Sequence, residues 1–140
     1  KIPLEYRTGR EVLPFLTDAG MSFLPYSPLL QGLLTDDYPA GALDPRDVRN
    51  SNPRLVGRHA RRYLAAAAEL RGYARGFGRP LAQLAINWLA YQEGMGPVIA
   101  GMHTVSQVET NARAGDWELN PQQWAELDGV LQTLVPDGEI

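Results

Sequence analysis

The chain has 140 residues, of which 44% are hydrophobic and 21% charged, with a formal net charge of −3 and no cysteine. This composition is ordinary for a globular domain, and the net charge gives no general attraction to nucleic acid or to an anionic membrane surface. The absence of cysteine excludes disulfides and thiolate metal sites, and is compatible with the cytoplasmic location that we expect. No stretch approaches the roughly 20 apolar residues of a membrane span, so no membrane partner is expected.

The first predicted helix follows a short extended piece at residues 2–7. Thr8 and Glu11 have the spacing of a capping box, which predicts the start of the helix. Pro14 predicts a kink or a later start, because its ring and its missing N–H disturb a helix interior. Gly20 then closes the helix. Three residues form the predicted apolar face: Val12, Leu13 and Leu16.

Residues 21–35 are the most informative stretch. Residues 21–24 form an apolar run of the length of a buried strand, and the prolines that follow cannot continue a sheet ladder. The strand therefore delivers Tyr26 and Ser27 to its C-terminal end, where ligands bind in parallel α/β folds. Gly32 permits a positive φ or a close backbone approach.

A long loop at about 36–57 has no sustained periodicity. One interpretation is a solvated loop whose arginines pair with Asp44 and Asp47. The other is a lid whose guanidinium groups fold over a phosphate, with Arg49 as the first candidate. The loop region carries four arginines: Arg46, Arg49, Arg54 and Arg58. The adjacent Asp36 and Asp37 are interpreted as a solvated turn rather than an acid/base pair.

Two amphipathic helices follow the loop. The apolar stripe of the first consists of Tyr63, Ala67, Leu70, Ala74 and Phe77. Pro80 suits the first turn of the second helix, whose stripe consists of Leu81, Leu84, Ala85, Trp88 and Leu89. Trp88 is interpreted as core filling. A second short apolar strand is predicted at residues 97–100.

The segment after this strand resembles an anion site. Gly101 to His103 forms a turn, and Thr104 and Gln107 have capping-box spacing at the start of a helix. A strand, a glycine turn and a helix N-terminus in succession direct free N–H groups toward one spot. The predicted inner face of this helix consists of Val105, Val108 and Ala112. The last helix is capped by Asn120, and its core face consists of Trp124, Leu127, Leu131 and Leu134.

The run of residues 26–35, which reads YSPLLQGLLT, resembles the seventh-strand motif of the aldo-keto reductases, (β/α)8 barrels that use NADPH to reduce aldehydes and ketones. Residues 81–89 and 98–111 agree with that family in order and spacing, and Tyr6 and Arg7 resemble the end of its sixth strand. A complete barrel takes roughly 250 residues. We therefore expect an α/β fold in which residues 1–140 form the C-terminal, cofactor-binding portion of a barrel, with two parallel strands and about five helices.

The resemblance also implies a cofactor site. Tyr26 would stack on the nicotinamide, and the turn and helix at residues 101–111 would hold the adenosine 2′-phosphate and the adenine. Met102 and His103 stand where relatives usually carry a small hydroxyl or a basic residue, and Thr110 stands where many carry glutamate, so NADH is possible beside NADPH. His103 is either a phosphate donor or an exposed turn residue without a ligand. The remaining implied contacts are Ser27, Pro28, Leu29 and Gly32 at the pyrophosphate and Gly101, Gln107, Thr110 and Asn111 at the adenosine.

No catalytic residue is assigned, because in that family the proton-donating tyrosine and its partners lie on the first four strands of the barrel. We expect a missing N-terminal barrel segment or a second chain to supply them, since Lys1 begins partway through a fold element. The substrate would be a small carbonyl compound. Alternatives are a non-catalytic nucleotide-binding regulatory half-barrel or a helical interaction protein. Two histidines without ligand spacing predict no metal site.

Overall fold

The computed structural model describes residues 5–39 and 41–135. Within those residues the chain forms five α-helices and two short 3₁₀ segments, at Val48–Ser51 and Arg113–Gly115. The helices are α1 (Arg7–Asp18), α2 (Gly57–Gly76), α3 (Leu81–Ala90), α4 (Val105–Ala112) and α5 (Pro121–Leu134). The predictions for residues 2–4 and for the end at 136–140 lie outside the described residues.

The helix α3 lies at the centre of the core. All nine residues from Leu81 to Leu89 are buried, as expected for a short helix that is enclosed on every side. It packs against α2, α4 and the Arg113–Gly115 segment. The amide of Asn87 donates to the carbonyls of Ala114 at 2.8 Å and Trp117 at 2.7 Å, which fastens that segment to α3.

The apolar stripes predicted for α2, α3 and α5 are confirmed. In α2 the residues Tyr63, Ala67, Leu70 and Ala74 are buried, and Phe77 packs against the core from a partly buried position. Trp88 is a buried core residue of α3. In α5 the buried residues are Leu127 and Leu131, while Trp124 and Leu134 pack at the margin of the core.

The start of α1 differs from the prediction. The helix begins at Arg7 with Tyr6 at the N-cap position and no side-chain cap, so Thr8 lies inside the first turn and the capping-box prediction is wrong. Pro14 also lies inside the helix rather than before a late start. The predicted end is confirmed, since Gly20 has a φ of 65° and its N–H donates to the Thr17 carbonyl at 3.0 Å.

The two predicted strands are reduced to isolated bridges. Phe23 pairs with Met95 and Tyr26 with Ile99, both in parallel orientation. The expectation of a buried strand at residues 21–24 is wrong, because Met21 is 49% exposed and Leu24 53%. The physical reason is that the two segments form only two isolated bridges with each other, and no other described segment pairs with either of them.

The face of α4 that contacts the rest of the chain is also not the predicted one. Val105 is 75% exposed and Val108 48%, and Ala112 is exposed as well. The half-buried residues of α4 are instead Thr110 and Asn111. The helix therefore turns a polar side toward α3 and leaves its apolar side uncovered among the described residues.

None of the helices in the described part of the chain is both long enough and apolar enough to cross a membrane.

Candidate functional site

A cleft of about 820 Å³ opens on one side of the core. Its walls are residues between 27 and 39, which include the turn and the beginning of the long loop, residues 48–49 in the middle of that loop, the start of α3, and the turn leading into α4 with the half-buried side of that helix. Segments that are separate in sequence thus meet around one space. Ten of the residues predicted to bind a cofactor line it: Ser27, Pro28, Leu29, Gly32, Arg49, Gly101, His103, Gln107, Thr110 and Asn111.

Tyr26, the remaining predicted residue, does not line the cleft but directly precedes the turn that does. It is 53% exposed and forms the bridge with Ile99. The predicted position at the end of a strand-like segment is therefore present, although Tyr26 itself is not part of the cleft lining.

The turn at residues 27–32 has a strained backbone. Ser27, Leu30 and Gln31 have φ values of 56°, 45° and 53°, and Gly32 has a φ of 91°. A non-glycine residue in this region costs of the order of 1–3 kcal/mol. The turn is fixed by local backbone hydrogen bonds of 3.0–3.2 Å and by the fully buried side chains of Leu33 and Leu34 that follow it. Strain of this kind is concentrated at binding sites, where the surrounding structure holds it in place.

Arg49 reaches the cleft while already paired. Its guanidinium donates to both carboxylate oxygens of Asp47, at 2.9 Å and 2.6 Å, and lies over the ring of Tyr38 at 5.5 Å from the centroid. The hydrogen bonds from Arg49 lower the pKa of Asp47 to about 2, and the same pairing raises the pKa of Arg49. Arg46 likewise pairs with Asp44, at 3.5 Å. The loop therefore contains the arginine–aspartate pairs that were predicted for a solvated loop, and it also places Arg49 at the cleft.

The turn before α4 uses its own side chains to satisfy two backbone donors. The hydroxyl of Thr104 accepts from the N–H of Gln107 at 3.2 Å, and the amide oxygen of Gln107 accepts from the N–H of His103 at 2.7 Å. The predicted cap by Thr104 is confirmed. Gln107 reaches back to His103 rather than to Thr104, so the capping box that was predicted is only half formed.

Two aspartates in the cleft wall were interpreted from the sequence only as a solvated turn. Asp36 and Asp37 both line the cleft. One carboxylate oxygen of Asp36 accepts from the N–H of Leu81 at 3.1 Å, and the other lies 3.7 Å from Nε of Arg71. Asp36 thus caps the start of α3 from 45 residues away. No local signal could have indicated this, because helix caps are recognised from adjacent residues.

A second cluster that the sequence did not indicate holds the end of the loop in place. Glu5 is buried and accepts hydrogen bonds from the hydroxyl of Tyr63 at 2.6 Å and from the guanidinium of Arg54. Burial by itself raises the pKa of Glu5, but the hydrogen bonds from Arg54 and Tyr63 outweigh it and keep the pKa below its ordinary value. Burial, together with the bond to Glu5, raises the pKa of Tyr63. The loop is therefore anchored at Arg54 while Arg49 stands at the cleft.

The described residues contain no cluster of histidine, aspartate and glutamate side chains that could hold a metal ion. The cleft instead offers backbone groups, amides, hydroxyls, one imidazole, one guanidinium and the carboxylates of Asp36 and Asp37, which suit an extended polar ligand.

The family model described as the aldo/keto reductase family matches residues 3–132. The chain belongs to this family. The resemblance seen in the motifs at residues 26–35, 81–89 and 98–111 is thereby confirmed.

Individual relatives agree with this assignment. The chain is 27% identical over 138 residues to the aldo-keto reductase YhdN of Bacillus subtilis, covering 95% of this chain and 41% of that protein. It is 33% identical over 114 residues to a probable voltage-gated potassium channel subunit beta of Arabidopsis thaliana, covering 79% of this chain and 35% of that protein. The glycerol dehydrogenase AKR11B4 of Gluconobacter oxydans matches with a TM-score of 0.79 at 26% identity, over 95% of this chain and 41% of its own.

This aldo/keto reductase chain therefore spans only about two fifths of the length of the relatives it matches. Its five helices and two parallel bridges fit part of a (β/α)8 barrel.

Proposed function

We propose that residues 1–140 form the C-terminal, cofactor-clamping part of a cytoplasmic NAD(P)H-dependent reductase that converts aldehydes or ketones to alcohols. The observation that carries this proposal is the meeting of ten sequence-predicted residues from separate segments in one cleft. Membership of the aldo/keto reductase family supplies the reaction class. A further segment, preceding this one or on a second chain, supplies the other strands and the group that protonates the carbonyl.

Different parts of the cleft suit different parts of a dinucleotide. Tyr26 stacks against the nicotinamide from the rim, while the strained turn at residues 27–32 brings backbone groups of Ser27, Pro28, Leu29 and Gly32 to the pyrophosphate. The turn from Gly101 to His103 and the polar side of α4, with Gln107, Thr110 and Asn111, take the adenosine. The cofactor, when bound, supplies the hydride, and this part of the chain supplies binding and orientation.

Arg49 gives the sharpest test of cofactor binding in the cleft. Its guanidinium stays paired with Asp47 and donates a further N–H group to a phosphate of the cofactor. Hydrogen bonds to charged groups contribute about 1.5–3 kcal/mol, and the neighbouring Asp47 carboxylate offsets part of this. We therefore expect Arg49→Gln to raise the Kd for the reduced cofactor about tenfold.

Arg46→Gln is the matched control, because Arg46 pairs with an aspartate two residues before it in the same loop but does not line the cleft. It should leave the Kd unchanged. The measurements are nicotinamide fluorescence for binding, and cofactor oxidation with a panel of small aldehydes for activity, both on the complete natural protein. Equal effects of the two substitutions, or no binding of either reduced cofactor, would refute the proposal.

A second candidate function is nucleotide binding without turnover, as a regulatory subunit. The relative named as a probable potassium channel subunit beta favours it. Tight binding of the cofactor with no aldehyde-dependent oxidation would select this function over the reductase.

A further inference from the structure

We infer that the cleft favours the dinucleotide that lacks the 2′-phosphate, NADH, over NADPH. This inference rests on the proposed function, because it concerns which cofactor the same cleft takes. Its basis is the charge of the described cleft wall, together with the absence of lysine and arginine from the segment at residues 101–107 that we assign to the adenosine.

The described wall of the cleft contains a single arginine or lysine, Arg49. Arg49 is already paired, because its guanidinium donates hydrogen bonds to both carboxylate oxygens of Asp47. Both side chains are about one fifth exposed, so their mutual contact is only partly screened by solvent. With a pKa of about 2, Asp47 stays ionised at neutral pH. The pair therefore presents little net positive charge to a ligand.

Two carboxylates stand in the same wall. Asp36 is held in place by the N–H of Leu81 and lies 3.7 Å from Arg71, which is outside the cleft lining. Asp37 has no hydrogen bond or ion pair with any other residue in the described part of the chain. Asp36 is fixed by its two contacts and cannot turn away from a bound anion without releasing the start of α3.

The start of α4 adds no cationic side chain to the wall. Two of its N–H groups, those of His103 and Gln107, are already satisfied within the turn. The turn and the first residues of the helix, 101–107, contain no lysine or arginine. The pyrophosphate common to both cofactors can use the backbone groups of residues 27–32. The additional phosphate of NADPH enters a cleft whose described wall holds two carboxylates and no lysine or arginine other than the paired Arg49. Like charges in a partly desolvated site repel more strongly than in bulk water.

The test is a pair of titrations of the complete natural protein, with NADH and with NADPH, at low salt and at about pH 8, where an ordinary imidazole is neutral. We expect NADH to bind about tenfold more tightly, which corresponds to about 1.4 kcal/mol. The difference should shrink as salt is added, because salt screens the repulsion.

Asp37→Asn should lower the Kd for NADPH several-fold and change that for NADH less. Asp116→Asn makes the same change of charge on an exposed residue that does not line the cleft, and it should alter neither value. Equal or tighter binding of NADPH by the natural protein would overturn the inference and leave the proposed function intact. Failure of both cofactors to bind would overturn the proposed function and the inference with it.

Discussion

Removing the hydroxyl of Tyr63 tests whether the buried cluster around Glu5 holds the loop to the core. The Tyr63 side chain is 1% exposed, and its hydroxyl donates to a carboxylate oxygen of Glu5 at 2.6 Å. A hydrogen bond to a charged group contributes about 1.5–3 kcal/mol. Since Arg54 continues to bind the carboxylate in the variant, we expect Tyr63→Phe to lower the free energy of unfolding by about 2 kcal/mol at neutral pH.

The loss should depend on pH in a defined direction. Burial raises the pKa of Glu5, but the contacts with Arg54 and Tyr63 outweigh burial and hold this pKa below its ordinary value in the folded state. A carboxyl with a lowered folded pKa stabilises the protein fully above its unfolded pKa, about 4.3 for glutamate, and this contribution is lost as the pH falls through the folded pKa. The difference between Tyr63→Phe and the natural protein should therefore be largest near neutral pH and narrow below about pH 4.

Urea denaturation of the complete protein at several pH values measures this difference. Tyr91→Phe is the matched control, because Tyr91 is 39% exposed and its hydroxyl lies 3.3 Å from the carbonyl oxygen of Gly115. It should change the free energy of unfolding by less than about 0.5 kcal/mol. If Tyr63→Phe behaves like this control, or if its effect well below pH 4 is as large as at pH 7, the cluster does not contribute as argued.

Three further substitutions test the local geometry by the same denaturation measurement. Gly94→Ala should destabilise the protein by about 2 kcal/mol, because Gly94 has a φ of +80° and a Cβ would lie 2.6 Å from the Thr17 hydroxyl. Gly72→Ala, in the middle of α2 with open space around it, should instead stabilise the protein by about 0.5–1 kcal/mol. Asn120→Ala should cost about 1 kcal/mol, because it removes a complete capping box at the start of α5.

The features that could be predicted from the sequence are those that adjacent residues determine. The apolar spacing of α2, the cap of α5 at Asn120 and the helix end at Gly20 each depend on interactions within one or two turns. The sequence also predicted that residues 27–32 and 101–111 line one site, but this prediction came from the family resemblance and not from a local pattern.

The features that were missed depend on partners distant in sequence. Asp36 caps a helix that begins 45 residues later, and Glu5 binds Tyr63 across 58 residues. The apolar spacing of Val105 and Val108 correctly predicted a helix, but spacing alone does not identify which surface covers a face. Within the described residues nothing covers it, so a pattern typical of burial is found at an exposed position.

The strained turn links the cleft to the core. Ser27, Leu30 and Gln31 have left-handed backbone conformations. Each of these destabilises the folded state by of the order of 1–3 kcal/mol. Burying a leucine side chain stabilises it by about 1.5–3 kcal/mol. Leu33 and Leu34 are fully buried directly after the turn, so their burial is of the same order as the strain it must offset. Without the burial of these two leucines, the turn would relax toward ordinary backbone geometry. The shape of the cleft wall therefore depends on two leucines that do not line the cleft, and a substitution that loosens them should alter ligand binding as well as stability.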